Sequence, residues 1–412
     1  MRLPRVPHLL TVLVLSAIPL AASTPRAGGA SLPPSDARVV LERDGHARIP
    51  FLVKTGHIWV RGRVGDSDSL WIVIDTGAAA SVMDDSLARR LGLRVTGTHE
   101  AHGAGGSQEG SEVAGQPIFL PGLTVRLKHL DTVSLTAFGA ASGQPMDFIL
   151  GYELFHDCVV RFDYANGVLD AWDARHAPRN LPGVTVPMTL VQHHPYVEAE
   201  VTFPGRAPIR GKWVIDTGSA LALSIAPEIV ARESLAASLP RTIEAIGRGV
   251  GGEVRVRTGR ADAFQLGALT FDQPIATLAA PGAGRISVVG SVGNIGGQIL
   301  GRCRVTFDYR HQRVVFEPNE RFAEPFEGEM SGATFVRAGP DFVVRLVNPG
   351  TPAAEAGLHE GDRVTSVDGR PAAEFDLAAL RAHLTGAGRA VQVDVVRGDE
   401  HFRATLTLRR LI

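Results

Sequence analysis

The stretch WIVIDTGAAAS, Trp71–Ser81, sends four apolar residues straight into an aspartate and then breaks at Thr76-Gly77. A short apolar run rich in β-branched residues reads as a buried strand. A carboxylate at the end of such a strand costs free energy unless something pairs with it. The pattern returns as WVIDTGSALALS, Trp213–Ser224, which sets Asp75 and Asp216 141 residues apart.

Other landmarks repeat in the same order. GAGG at Gly103–Gly106 is answered by GVGG at Gly249–Gly252, FILG at Phe148–Gly151 by QILG at Gln298–Gly301, and FDY at Phe162–Tyr164 by FDY at Phe307–Tyr309. Four collinear matches argue for an internal duplication. Between them lie alternating, β-branched segments that read as strands: ARIPFLVKTGHIWVRGRV, LTVRLKHL, CVVRFDY and VLDAW in the first half, YVEAEVTF, EVRVRTG and RVVFEP in the second. One short helix is expected after each Asp-Thr-Gly, in DDSLARRLGL and in APEIVARESL. Each half is therefore mainly β.

Composition bounds the partners. With 42 basic against 43 acidic residues, the chain of 412 has a net charge of −1 and no field that would draw it to nucleic acid or anionic lipid. Its 46 glycines, 26 prolines and 6% aromatics fit many turns between short strands. The N-terminus, MRLPRVPHLLTVLVLSAIPLAAS, has two arginines, an apolar run from Leu9 to Ala22 and small residues at its end, the pattern of a secretory signal peptide. The run is shorter than the roughly 20 residues that span a bilayer, so no stable membrane anchor is expected. The mature protein is expected to be secreted or periplasmic, in a bacterium.

A carboxylate turned on Thr-Gly is held rigidly near backbone N–H groups. Two such loops facing each other across a pseudo-twofold axis would share one proton, because like charges so close do not both ionise. Such a pair can hold a water, deprotonate it as it attacks a peptide carbonyl and protonate the leaving nitrogen. On these residues, from about 38 to 318, the chain resembles the aspartic proteases, closest to the retropepsin-like kind of bacterial exported proteins. The resemblance implies a bilobal acid-protease fold in which Asp75 and Asp216 are catalytic, Thr76 and Thr217 brace the loops against each other, and Gly77 and Gly218 make the turns. It implies that Ile149, Leu150 and Gly151, and Ile299, Leu300 and Gly301, are the hydrophobic-hydrophobic-glycine motifs packed behind the loops. It also implies glycine-rich flaps at Gly103, Gly105 and Gly106 and at Gly249, Gly251 and Gly252. One chain supplies both lobes, so a monomer acting on a peptide or protein substrate is expected. Neither flap carries the tyrosine of pepsin-type enzymes, and Ala78 stands where they have serine.

After RVVFEP, the charged stretch NERFAEPFEGEM, Asn319–Met330, reads as a linker. VNPGTPAAEAGLHEGDRVTSVDGRP, Val347–Pro371, with DLAALRAHL and the strands AVQVDVV and RATLTLR, resembles a PDZ domain over 331–412, a small α+β unit. Such domains add a peptide as a strand beside the main helix, and the resemblance places the carboxylate-binding loop at Gly332, Ala333, Thr334 and Phe335. The alternative use of that surface is docking against the protease lobes. The expected organisation is a signal peptide at 1–23, a linker at 24–37, lobes at 38–180 and 181–318, a linker at 319–330 and the PDZ domain at 331–412.

Two rival readings stand beside this one. A lobe pair could bind peptides in its cleft and PDZ groove without chemistry, though both aspartates are present. Actin-like ATPases also carry two Asp-x-Gly loops, but a signal peptide and the lack of long helices between strands argue against them. No phosphate-cradling GxxxxGK[ST] loop and no HExxH spacing occurs, and His193-His194 precede a proline at a loop edge, so neither a metal nor a cofactor is expected. Cys158 and Cys303 occupy equivalent places in the repeat and are expected to be buried thiols, not a disulfide.

Overall fold

Strand Leu70–Ile74 forms because Leu-Trp-Ile-Val-Ile suits a sheet covered on both faces. It runs antiparallel to His57–Val64 and parallel to Phe148–Leu150, and Phe148–Leu150 lies antiparallel to Val82–Asp84. The computed structural model describes residues 32, 35–42, 44–103, 105–136, 138–139, 145–249, 251–280 and 290–412. The expected signal peptide, and much of the linker expected at 24–37, lie outside the described residues. In the second half, Ile209–Ile215 lies parallel to Gly293–Ile295, which is antiparallel to Leu223–Ile225. A further strand in each half, His129–Val133 or Ile275–Ala279, adds in parallel to Val82–Asp84 or Leu223–Ile225. The described chain is mainly β, and between residues 46 and 318 one arrangement occurs twice.

The copies meet in a shared sheet. Strands Cys158–Asp163 and Cys303–Asp308 pair antiparallel, with Val160 opposite Phe307 and Phe162 opposite Val305. These two pairs exchange when the lobes are exchanged, as a pseudo-twofold axis between them requires. Strands Val168–Asp173 and His46–Lys54 extend the sheet on one side, Arg313–Pro318 and Val184–Val191 on the other. Phe155, Phe162, Phe307 and Tyr309 pack beneath the axis with ring centroids 5.5 to 6.4 Å apart, spacings at which aromatic pairs attract beyond their buried area.

The helices are short, as expected. Asp85–Arg90 is capped by the Asp84 carboxylate, which accepts from Ser86 N, and ends ahead of Gly92. APEIVARESL does not stay one helix. Pro227–Arg232 stops, Ser234 turns into the left-handed region at φ +48°, and Leu235–Ser238 starts anew.

The C-terminal part has its own core around Phe335, Phe342, Val364, Leu380, Val393 and Leu406. Its strands run in the order Ala333–Ala338, Asp341–Val347, Arg363–Val367, Ala390–Arg397 and Glu400–Thr407. Helix Leu377–His383 is capped by Asp376, whose carboxylate also pairs with Lys54 of the first lobe at 3.1 Å. Residues 319–330 are no loose tether. Arg302 donates to the carbonyls of Arg321, Glu324 and Pro325 and lies over the Phe326 ring, and Phe326 is buried in the core of the lobes. The sequence reading missed this because the partner is a single arginine on another element.

Candidate active site

Both Asp-Thr-Gly loops leave their strands at the same height. Asp75 N donates to Leu150 O and Asp216 N to Ile295 O, each at 2.9 Å. The parallel strand behind each aspartate thus fixes where the loop begins. Thr76 and Thr217 then lock the loops together. Thr76 Oγ1 donates to Ile215 O at 2.8 Å and accepts from Thr217 N at 3.0 Å, while Thr217 Oγ1 donates to Ile74 O at 2.9 Å and accepts from Thr76 N at 2.9 Å. Every group in this exchange is buried, so its four bonds have no competing water.

Gly77 and Gly218 are there for lack of room. A Cβ on Gly77 would sit 2.6 Å from the Asp216 carboxyl carbon, and one on Gly218 would sit 2.3 Å from that of Asp75. Gly77 N donates to Asp75 Oδ1 at 2.7 Å and Gly218 N to Asp216 Oδ1 at 2.9 Å. The two carboxyls are hydrogen-bond neighbours. Among the described residues Asp75 Oδ2 has no hydrogen-bond partner of good geometry. Burial raises the pKa of Asp75. Burial, together with the Asp75 charge, raises that of Asp216 well above the ordinary carboxylate value.

Behind the first loop the expected motif is in place: Leu150 supplies the carbonyl, and a Cβ on Gly151 would strike Ala78 O at 2.6 Å. Behind the second loop it is not the expected one. Ile299 and Leu300 belong to the short helix Gly297–Leu300, and Gly301 caps its end. The equivalent of Ile149-Leu150-Gly151 is Asn294-Ile295-Gly296: Ile295 O receives Asp216 N, and a Cβ on Gly296 would strike Leu221 O at 2.4 Å. The letters misled because QILG copies FILG better than NIG does. The spacing held the signal, since the cysteines and the FDY motifs both repeat at 145 residues, as do Gly151 and Gly296. Asn294, at the position of Ile149, donates through Nδ2 to Asp216 Oδ2 at 2.9 Å.

Two hairpins face each other tip to tip: Val95–Gly103 with Gly106–Ala114, and Ile243–Gly249 with Gly252–Arg260. The glycines named from sequence, Gly103, Gly105, Gly106, Gly249, Gly251 and Gly252, all lie at these tips. A Cβ on Gly105 would fall 2.3 Å from Gly252 O, and one on Gly251 2.3 Å from Gly106 C, so only glycine lets the tips touch. Ala101 of the first hairpin packs with Val73, Ala78, Val82 and Ile149 beside Asp75.

Sequence reasoning did not single out His57 and noted His194 only as a loop-edge residue, whereas His194 opens a strand and is buried. Tight turns at Thr55-Gly56 and Gln192-His193, all at positive φ, deliver His57 and His194 beneath the loops. His57 lies against the Gly218 backbone and His194 against Gly77, each reaching under the opposite lobe's loop. Burial lowers both to a pKa of about 4, so they are neutral at pH 7. Their place in equivalent turns was the available signal. Also missed was Glu153, whose carboxylate accepts from Ser81 N and Oγ while Ser81 Oγ accepts from Gly151 N, tying the first loop to its motif. Cys158 and Cys303 are buried and unbonded. Among the described residues no His, Cys, Asp and Glu cluster could hold a metal ion, and no helix is long and apolar enough to cross a membrane.

In the C-terminal part, Gly332 takes φ +78°, and a Cβ there would strike Thr351 at 2.3 Å. The N–H groups of Ser331 and Gly332 point to the carboxylate of Glu329, at 2.7 and 3.3 Å, and Ala333 N donates to Ser331 Oγ. A strand irregularity falls between Thr334 and Phe335, and Phe335 is buried in the core. Of the expected carboxylate-binding loop only the Gly332 N–H thus meets a carboxylate, that of Glu329, while Thr334 and Phe335 pair in a strand. Beside it, Asn348 accepts from Glu244 N at 2.7 Å and donates to Glu244 O at 2.9 Å, docking the base of the second hairpin.

Residues 60–154 match the aspartyl protease family and residues 330–408 the PDZ domain family. The chain is 31% identical over 135 residues to the magnetosome formation protease MamE of Magnetospirillum gryphiswaldense, covering 32% of this chain and 15% of that one. It is 30% identical over 156 residues to HhoA of Synechocystis sp., which carries the name of a serine protease, covering 37% of this chain and 34% of that one. The chain thus spans about a third or less of the curated relatives it matches. The aspartic proteinase from Irpex lacteus aligns with 68% of this chain and 99% of its own at 12% identity and a TM-score of 0.44.

Proposed function

From a chain that joins an aspartyl protease region to a PDZ domain, we propose an aspartic endopeptidase whose catalytic pair is Asp75 and Asp216. The observation that carries this reading is the reciprocal exchange of hydrogen bonds between Thr76 and Thr217, which holds the two buried carboxyls against each other. Sharing one proton, the pair binds a water. The ionised carboxylate takes a proton from it as its oxygen attacks the peptide carbonyl, and the protonated carboxyl gives its proton to the carbonyl oxygen. The tetrahedral adduct collapses as the nitrogen is protonated and the C–N bond breaks. General acid and base catalysis of this kind contributes roughly 10² to 10⁴ in rate. The touching hairpin tips act as flaps that part to admit substrate and close to exclude water.

The reading extends to organisation. Residues 38–180 and 181–318 form the two lobes, 331–412 the PDZ domain, and the chain acts as a monomer in the bacterial periplasm or outside the cell after removal of 1–23. The PDZ domain serves as a dock for the second flap, because Asn348 holds both the N–H and the carbonyl of Glu244 and the Gly332 N–H already has Glu329 as its acceptor. The test is to incubate the mature protein with a diverse peptide mixture from about pH 3 to 8, beside Asp75→Asn and Asp216→Asn, and read products by mass spectrometry. Cleavage by the native chain and by neither variant supports the pair. Equal cleavage by either variant removes it.

A further inference from the structure

The faces that flank Asp75 and Asp216 are built from the same strands but differ in chemistry. On the face of the first lobe turned away from its main core, Val73, Val82, Met146 and Ile149 form an apolar patch beside Asp75. Strand register and the 145-residue repeat give their counterparts beside Asp216 as Val214, Ser224, Ser291 and Asn294. Three apolar side chains are replaced by polar ones. Thr277 joins them, because it is the parallel partner of Ser224, which is opposite Asn294. Partners across strands share one face of a sheet. Their neighbours along the strands, Leu223, Ile225 and Ile295, point into the main core instead.

Ser224 Oγ, Thr277 Oγ1, Ser291 Oγ and Asn294 Oδ1 are all buried and, among the described residues, have no hydrogen-bond partner, not even one another. Such groups are costly to bury unsatisfied. In the first lobe the polar residue equivalent to Thr277, Asp131, faces His99 at 3.9 Å. Asn294 is held by the bond from its Nδ2 to Asp216, which leaves Oδ1 free as an acceptor. A ligand meeting it must donate. The oxygens carry no net charge, so a neutral donor fits them best.

We infer that the wall beside Asp216 is a specificity subsite for a neutral hydrogen-bonding side chain, an amide or hydroxyl of the Asn, Gln, Ser or Thr class, opposite an apolar subsite beside Asp75. The inference rests on the endopeptidase reading and names its substrate class. A substrate amide would satisfy Asn294 Oδ1, Ser224 and Thr277 together, and an isosteric apolar side chain would leave all three unpaired. Sites that hydrogen-bond a substrate group reject analogues lacking it more strongly than apolar pockets reject extra polar atoms.

The test profiles a peptide library randomised on both sides of the cut, then compares kcat/KM for two peptides that differ only as Asn or Leu at the selected position. Wild type is expected to prefer Asn by roughly tenfold or more. Thr277→Val, which keeps the shape, and Ser224→Val, which copies Val82, should each erase most of that ratio. Because the readout is a ratio, a general loss of activity in a variant does not obscure it. Apolar preference on both sides, or a ratio unchanged in both variants, overturns the subsite. If wild type cleaves nothing, the endopeptidase reading falls. A library peptide that the protein binds is then made with Asn or Leu at each position in turn and titrated by calorimetry, where tighter binding of an Asn form sustains the subsite and equal affinity at every position overturns it.

Discussion

Thr76→Val tests the joint between the lobes. Valine keeps the β-branched shape, so no cavity forms, but the change removes the donor to Ile215 O and the acceptor of Thr217 N. Both stranded groups lie where no water reaches, since Thr76 and Thr217 are 1% exposed and Ile215 0%. An unsatisfied buried polar group costs about 1 to 3 kcal/mol, so the two together cost about 2 to 6 kcal/mol, a large share of a typical stability of about 5 to 15 kcal/mol. Thr217→Val strands Ile74 O and Thr76 N and should cost the same. Thr76→Ser keeps the hydroxyl and should lose only about 1 kcal/mol of methyl burial. Urea unfolding followed by tryptophan fluorescence reads this cleanly. The four tryptophans, Trp59, Trp71, Trp172 and Trp213, all lie in the lobes, so unfolding of the PDZ domain leaves that signal unmarked. A shift below about 1 kcal/mol for Thr76→Val, with peptide cleavage intact, would refute the claim that this exchange holds the carboxyls in place.

Four further outcomes are expected. Gly218→Ala drives a methyl into the Asp75 carboxyl and should lower kcat by about 10² or more, the effect of an ångström-scale misplacement, while a neutral result in a kinetic assay would contradict the close approach of the two loops. His57 and His194 have pKa values of about 4 in the fold against about 6.5 unfolded. The stability from their neutral forms is therefore complete above pH 6.5 and lost as pH falls toward 4. Each contributes about 3 kcal/mol over that window, so urea midpoints should drop from pH 7 to 4, and less steeply in His57→Gln. Because burial raises both Asp75 and Asp216, the acidic limb of the kcat/KM profile should lie above the ordinary carboxylate pKa of about 3.9; a limb at or below it would contradict the closed site. Cys158 and Cys303, buried and with thiols pushed up to about 12, should resist a thiol reagent in the native protein and take two labels in urea, whereas no labels in urea would indicate a disulfide.

The repeat of Asp-Thr-Gly after an apolar strand was enough to place Asp75 opposite Asp216, because strand burial and the glycine turn are local properties written in adjacent residues. The hairpin tips were legible through their glycine clusters, although the backbone contact that requires those glycines joins residues far apart in sequence. Asn294-Ile295-Gly296 escaped because identity is dictated there by a carbonyl and a missing Cβ, leaving the first residue free to change from isoleucine to asparagine. His57, His194 and Glu153 escaped because their meaning lies in what they reach across the molecule. Arg302 turned an expected linker into a packed segment through three carbonyls that no local pattern announces.

The sheet that joins the lobes has a consequence for how the molecule can be taken apart. Cys158–Asp163 and Cys303–Asp308 hold each other edge to edge, with Arg304 bonded to Asp163 at 2.9 Å across the boundary. The largely exposed run Arg179–Gly183 that carries the chain from one lobe to the other contributes nothing to that edge. A protease nick there should leave a two-polypeptide complex that elutes as one species and keeps its cleft. Split expression would then let one wall be altered while the other stays native, a freedom that an obligate pair of identical subunits never has.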